Sequence, residues 1–381
     1  MKINRLAVST YFFINGFLYA NWTARLPELQ VFFNISNTGL GLFLLTIASG
    51  AIFAMPFSGW LASKFGTHKI TTITAFLFCL AIPLISLSPN HFYLSILFFV
   101  IGLASGSMDV AMNGQAVLVE RLWKKPIMSS FHAVFSIGMA LGAGTGALAT
   151  KINLDLPIHL SIAASFAVFA CSWATFNLIK DIPDSKLSNK RKEPKFVLPT
   201  KAILPLGIIA FCAMTGEGAM ADWSAIFMNK VVGKDEVYGA LAFGSFASSM
   251  TIGRLFGDYF TKLWGYKKIL IYDSCLAILG LGLAISFSTV WSTLIGFFLV
   301  GLGLATIVPI VYSRAGNTPG VSPSVGIAMA TTIGYSGFFV GPPVIGFLAD
   351  WWNLQVGLCF TLCLFVIMLL LTLQSSLVRG K

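Results

Sequence analysis

Charge is scarce in this chain: Asp, Glu, Lys and Arg make up 10% of its 381 residues, against about 25% in a water-soluble domain. So little polar surface cannot face water on every side, which excludes an ordinary soluble fold. Cysteine is sparse too, and its placement matters more than its number. Cys79, Cys171, Cys212, Cys275, Cys359 and Cys363 all stand inside apolar runs, which argues against a disulfide framework or a thiolate metal site. They are expected to pack as small apolar groups. No Gly-x-x-x-x-Gly-Lys-Ser/Thr phosphate cradle occurs, so a nucleotide is not the direct energy source. His132 has no second His or Cys at ligand spacing, and neither a metal nor a cofactor is expected.

The chain is rich instead in apolar length, with 56% hydrophobic residues and a mean hydropathy of +0.83. Its runs approach the 20 or so residues that a helix needs to cross about 30 Å of hydrocarbon. Barrel strands alternate over about ten residues, and these runs are too continuous for that. Lipid requires each segment to satisfy its own backbone polar groups, so helices follow. Twelve spans can be drawn, at roughly 6–26, 38–60, 70–88, 92–117, 129–151, 156–178, 203–229, 237–261, 268–288, 290–314, 320–348 and 354–377. The one long polar stretch, Lys180 to Lys201, separates the sixth from the seventh. The expectation is an all-α membrane protein: a six-helix bundle over 1–178, a basic linker over 179–202 and a second six-helix bundle over 203–381.

A net charge of +11 would suggest nucleic acid in a soluble protein. Here it follows the rule that places Lys and Arg on the cytoplasmic side. Of the 25 such residues, 20 fall on one side of the proposed spans; Arg25, Lys151, Lys230 and Lys234 fall on the other, and Arg254 lies within a helix. An even number of spans then leaves both termini cytoplasmic, in a bacterial inner membrane. The segment from Met1 to Arg5 and the apolar run behind it read as a retained first helix, since no small-residue cleavage site precedes Asn21 to Arg25.

The two halves repeat. Tyr19-Ala20-Asn21-Trp22-Thr23-Ala24 answers Met220-Ala221-Asp222-Trp223-Ser224-Ala225, and Phe98 to Leu103 answers Phe297 to Leu302. Gly66 and Lys69 answer Gly265 and Lys268, while Gly138 and Gly142 answer Gly337 and Gly341. Four correspondences in register point to a duplicated six-helix unit.

Six plus six spans in parallel repeats, joined by a basic linker, resemble the major facilitator superfamily over essentially the whole chain. The family's signature after the second span is matched by Gly59, Lys64, Gly66 and Lys69, with Ser63 in the acidic position; a fuller second copy has Gly253, Arg254, Asp258, Gly265 and Lys268. Arg254 and Asp258 stand four apart, a spacing that allows an ion pair on one helical face. Asp109-Val110-Ala111-Met112-Asn113, Glu217 to Trp223 and Gly341-Pro342-Pro343 are similar to the fucose-permease-like group and a YbjJ-type bacterial inner-membrane branch. The exporters' Gly-Pro motif in the fifth span, their Arg in the fourth and the permeases' acid in the first have no counterpart. The resemblance implies a monomeric, non-enzymatic secondary transporter of a small polar solute, sugar-like or a related metabolite, coupled to protons through alternating access. Efflux of a metabolite or drug by proton antiport is the alternative, and a non-transporting receptor or scaffold is a third reading.

Charge within hydrocarbon costs about 2.5–3.5 kcal/mol even on the lenient insertion scale, so it marks either a pathway or a structural pair. Asp109 shares a helical face with Gly102, Ser105, Gly106 and Asn113, where small residues admit a neighbouring helix or a substrate. Burial disfavours the charged carboxyl, so Asp109 is a candidate proton carrier; a structural pair with His132 is the competing reading. Glu217 is expected to line the cavity. Arg25 and Asp222, with Asn21 beside them in the repeat, are expected to meet across the bundles as a periplasmic gate, or else each to pair within its own bundle or stay hydrated. Asn15, Tyr19, Tyr312 and Tyr335 are candidates for solute contact. Trp22 and Trp223 serve equally well as membrane anchors.

Overall fold

The computed structural model describes residues 1–35, 37–181, 200–234 and 236–374. The basic run 188–195 of the linker lies outside the described residues. The first half contains α1 (Lys2–Thr23), a short α2 (Leu26–Phe32), α3 (Asn37–Phe65), α4 (Thr67–Leu84), α5 (His91–Trp123), α6 (Met128–Lys151) and α7 (Leu156–Thr175). In the second half, α8 is Leu204–Lys230, and the helical stretch Glu236–Phe287 is broken at Gly265 into α9 (236–264) and α10 (266–287). It closes with α11 (Val290–Leu304), α12 (Ile307–Gly316), α13 (Pro323–Trp351) and α14 (Leu354–Gln374).

Among the described residues, ten helical stretches are long and apolar enough to cross a membrane. One of them, Tyr238–Phe287, is two crossings joined at Gly265. With α1, whose 22 residues reach about 33 Å, the total is the expected twelve. The tenth crossing is itself interrupted, as α11 and α12. Pro309 lacks the N–H that would bond the Ala305 carbonyl and its ring crowds that carbonyl, so the helix restarts at Thr306, whose carbonyl accepts from the Ile310 N–H at 3.0 Å.

Corresponding turns are built alike. Gly66 joins α3 to α4 with φ of 93°, and Gly265 joins α9 to α10 with φ of 80°, a backbone region that glycine enters without a Cβ clash. Corresponding helix seams are also alike. A side chain at Gly102 of α5 would run into the Ile47 carbonyl of α3, and one at Gly301 of α11 into Phe246 and Ser249 of α9. Gly138 and Gly142 bring α6 onto the Phe13 and Phe17 carbonyls of α1; Gly337 and Gly341 bring α13 onto Phe211 and Thr215 of α8. In lipid, small residues at such seams replace the hydrophobic drive with close packing. The duplication read from sequence is thus a duplication of helix contacts.

The chain forms two compact units. One holds the described residues of Met1–Lys124, Val134–Leu198 and Gly320–Ala328; the other holds those of Lys125–Ala133, Pro199–Pro319 and Met329–Lys381. The first turn of α6 therefore counts with the second unit, and the first turn of α13 with the first.

Where the first unit leads into the linker, the chain is fastened by a carboxylate. Asp181 accepts from the Thr67 N–H (2.6 Å), the Thr67 hydroxyl (2.9 Å) and the His68 N–H (3.2 Å), and bonds His68 Nδ1 at 2.8 Å. It thereby caps α4, whose first N–H groups have no partner within the helix. Gln115 ties in the backbone beside it, donating to the Ile179 carbonyl (2.9 Å) and accepting from the Ile179 N–H (3.0 Å). Burial pushes the Asp181 carboxyl up, but the His68 and Thr67 bonds outweigh it and hold it below the ordinary carboxylate value. A lowered folded value means that the stabilisation is complete above the unfolded value near 3.9 and is lost as pH falls through the folded one. Asp181→Asn should therefore cost about 1 kcal/mol at neutral pH, read as a lower unfolding midpoint in detergent. Wild type and variant should begin to approach one another below about pH 4 and converge only once pH has fallen through the lowered folded value; equal midpoints at neutral pH would refute the clamp.

Candidate functional site

In the second unit, four helices gather a small set of polar and charged side chains. Glu217 of α8 faces Arg254 of α9 with Oε1 and Nη2 3.5 Å apart; the Arg254 side chain is 9% exposed and that of Glu217 29%. Sequence spacing suggested Asp258 as the partner of Arg254, and the structure corrects this. Asp258 turns to the start of α6 and accepts from the Ser129 and Ser130 N–H groups, each at 2.8 Å. Unbonded N–H groups and the helix dipole make a helix start a strong site for a carboxylate. One turn on, His132 lies with its ring 5.9 Å from that of Tyr312 in α12. Glu217, Arg254, Asp258, His132 and Tyr312 thus form one cluster, while Lys268 stays exposed near the Gly265 turn.

The first unit is built differently at the corresponding place. Gly59 stands seven residues before Gly66, as Asp258 stands seven before Gly265. It lies against the first turn of α13, where a Cβ would be 3.0 Å from the Ser324 carbonyl and collide with Ala328. A carboxylate holds one helix start; close backbone packing meets the other. Ser63 donates to the Trp60 carbonyl at 3.0 Å and supplies no charge. Lys64 lies over the Trp60 and Phe65 rings, 5.0 Å from each centroid, and Lys69 is exposed.

Asp109 is buried in α5 and accepts from Asn113 Nδ2 at 3.1 Å; the same nitrogen donates to the Asp109 carbonyl at 2.8 Å. Asn113 Oδ1 is buried without a hydrogen-bond partner among the described residues. Of the small residues expected beside Asp109, Gly102 and Gly106 are occupied by Ile47 and Ala51 of α3, so they admit a helix. Asp109 belongs to the first unit and His132 to the second, where His132 is placed against Tyr312.

Arg25, 2% exposed, is held within the first unit by an ion pair with Glu28 and a 2.8 Å bond to the Leu154 carbonyl. Thr150 donates to Glu28 at 2.8 Å. Asp222 is exposed. Asn21 is buried, donating to the Phe17 carbonyl (2.9 Å) and accepting from Thr145 (3.0 Å). Asn15 is buried and Tyr19 is 36% exposed, with its ring edge-on to Trp22. Trp22 is fully buried against Phe98 and is therefore core, not a lipid anchor. Tyr335 packs edge-on against Phe338 at 5.8 Å.

Beside Glu28, the structure gives roles to two acids outside the sequence expectations, Asp181 and Asp273. Asp181 hid at the edge of the linker. Asp273 lies in α10, is 8% exposed, and accepts from the Thr306 hydroxyl at the break of the tenth crossing. It is a lone acid in an apolar run, the signal by which Asp109 and Glu217 were singled out.

The comparisons with known proteins agree with this architecture. The family model of the Major Facilitator Superfamily matches residues 8–322, and the chain belongs to that superfamily of membrane transporters. An uncharacterised MFS-type transporter of Yersinia pestis is 33% identical over 366 residues, covering 96% of this chain and 92% of the relative. The quinolone resistance protein NorA of Staphylococcus aureus is 23% identical over 337 residues, covering 85% of each. The solved structure of FucP in the outward conformation matches with a TM-score of 0.80 at 14% identity, over 97% of this chain and 98% of the other.

The cap on α6 can be tested alone. Asp258→Asn should weaken it by about 1 kcal/mol, and hydrogen–deuterium exchange over 126–134 should quicken several-fold while α8 is unchanged. Unaltered exchange there would mean that the carboxylate is not what orders the helix start.

Proposed function

We propose that this transporter moves a small polar solute, sugar-like or a related metabolite, across a bacterial inner membrane by alternating access coupled to proton movement, both termini being cytoplasmic. Residues 1–178 rock against residues 203–381 in this cycle. The observation that carries the reading is the Glu217–Arg254 pair. At 3.5 Å it is longer than the 2.7–2.9 Å or so of a tight charge-assisted bond, and Glu217 keeps partial exposure. A carboxylate so placed can take up a proton and release Arg254, or lose it and recapture the cation. Asp109 is the second proton carrier. Asn113, its amide nitrogen committed to Asp109, offers Oδ1 to a solute hydroxyl.

The name of FucP, a fucose:proton symporter of E. coli, supports uptake with protons. The name of NorA supports the second reading, proton-driven efflux. Arg25 enters either cycle as a gate: its release from Glu28 lets it meet Asp222 when the outer side closes.

A thermal-shift screen of purified protein against sugars, amino acids, nucleosides and organic acids tests the class of solute. At a hundred times its Kd, a ligand stabilises by about 2.7 kcal/mol. Asn113→Ala should abolish the shift for the responding solute, whereas Glu217→Gln should keep it. Counterflow in right-side-out and inverted vesicles then separates uptake from efflux. A screen in which no polar solute shifts the midpoint, while hydrophobic cations do, would overturn uptake in favour of efflux. Flux through neither orientation would overturn transport of these solutes altogether.

A further inference from the structure

We propose that Asp273 is a further proton-exchanging carboxyl, and that its charge is read by Thr306 and passed to the Asp258 cap on α6. The proposal deepens the proton-coupled reading given above, on which its role in transport rests. It stands on three contacts at the break of the tenth crossing, all within the second unit. Thr306 donates its hydroxyl to Asp273. The methyl group of the same threonine lies against Gly257 of α9, where a Cβ would be only 2.5 Å away. Gly257 adjoins Asp258, whose carboxylate holds the Ser129 and Ser130 N–H groups, and a Cβ at Gly257 would also meet Ser129 at 2.9 Å. A single side chain thus touches the acid on one face and the backbone beside the cap on the other.

The surroundings decide which form of Asp273 fits. It is 8% exposed and Thr306 5%, and Thr306 is its one hydrogen-bond partner among the described residues. Gly303 lets the α10 backbone close on α11, with a Cβ there only 2.5 Å from the Asp273 carbonyl oxygen. Charged groups on the helices of this unit point elsewhere. Lys267 donates to the Leu373 carbonyl at 2.7 Å, Arg314 lies over the Tyr266 ring at 5.3 Å, and Arg254 faces Glu217. Lys262, Lys268 and Asp222 are exposed, α11 and α14 carry no charge, and no ion pair reaches Asp273 among the described residues. A neutral carboxyl can be satisfied by one hydroxyl. An ionised one needs more donors than a dry seam offers.

When the proton passes from the Asp273 carboxyl to water, the carboxylate must draw further donors to itself. The place that can yield is the break, where Pro309 has already removed a helix bond. Movement of Thr306 there shifts its methyl group off Gly257 and loosens α9 beside Asp258. Protonation restores the contact. The cap would therefore be tight with Asp273 neutral and loose with it ionised.

The test needs no solute and uses the full chain in detergent. Infrared difference spectra between acidic and alkaline buffer should contain a carboxylic C=O band that Asp273→Asn removes and that persists in Glu217→Gln. Hydrogen–deuterium exchange over 126–134, corrected for intrinsic rates, should rise several-fold in wild type at alkaline pH. In Asp273→Asn it should stay at the slow, acid-form level at both pH values. Thr306→Val, which keeps the shape and removes the hydroxyl, should retain the band at a shifted frequency and lose the pH dependence of exchange; it also serves if the Asn variant fails to fold. A band unchanged in Asp273→Asn, or wild-type exchange with no pH dependence, would overturn the proposal. Because neither readout involves transport, a wrong solute class or direction would leave both results intact, whereas failure here would leave the Glu217–Arg254 reading standing.

Discussion

A carboxylate within hydrocarbon must find a donor or give up its charge, and this requirement organises the molecule more than any other. Asp109 is met by Asn113, Glu217 by Arg254, Asp258 by the first N–H groups of α6 and Asp273 by Thr306. Each solution differs in strength and in how easily it is undone. Two backbone donors at 2.8 Å make a firm cap, while a cation at 3.5 Å makes a pair that a proton can dissolve. An amide within the same helix orients its acid without neutralising it. The set spans firm and weak contacts, and the proton-coupled cycle proposed above calls on both kinds.

The duplication sharpens this point by what it does not preserve. Helix seams are copied closely, with glycines at matching positions of α5 and α11 and of α6 and α13. The acids are not copied. Where the second unit holds a helix start with Asp258, the first has Gly59 and a backbone contact. In place of an acid at Ser63, the first unit fastens the α3–α4 turn with Asp181, brought from beyond α7. Packing fixes the shared architecture, and the acids distinguish the two halves.

Span number, repeat and family were legible in the sequence because each rests on long-range averages. Apolar length, the sidedness of Lys and Arg, and four repeated motifs all survive an error of several residues. Partners were less legible. Spacing of four placed Asp258 within reach of Arg254, but spacing cannot show that a helix start from another part of the chain competes better. Gly102 and Gly106 looked like room beside Asp109; only tertiary packing reveals that α3 fills it. Trp22 could have stood at the lipid surface and is instead core. Asp273 was visible as an isolated acid in an apolar run, yet its interest depends on Thr306, a neighbour that no periodicity in the sequence connects to it.

The proposed coupling requires that Glu217 exchange a proton as solute crosses. The direct measurement is proton movement in proteoliposomes enclosing a pH-sensitive dye, driven by a gradient of the solute that most stabilises the purified protein. Wild type should change the internal pH as solute moves, and Glu217→Gln should pass solute down its gradient with a smaller change in internal pH per solute. Proton movement that persists in the variant at the wild-type ratio to solute would contradict the central claim.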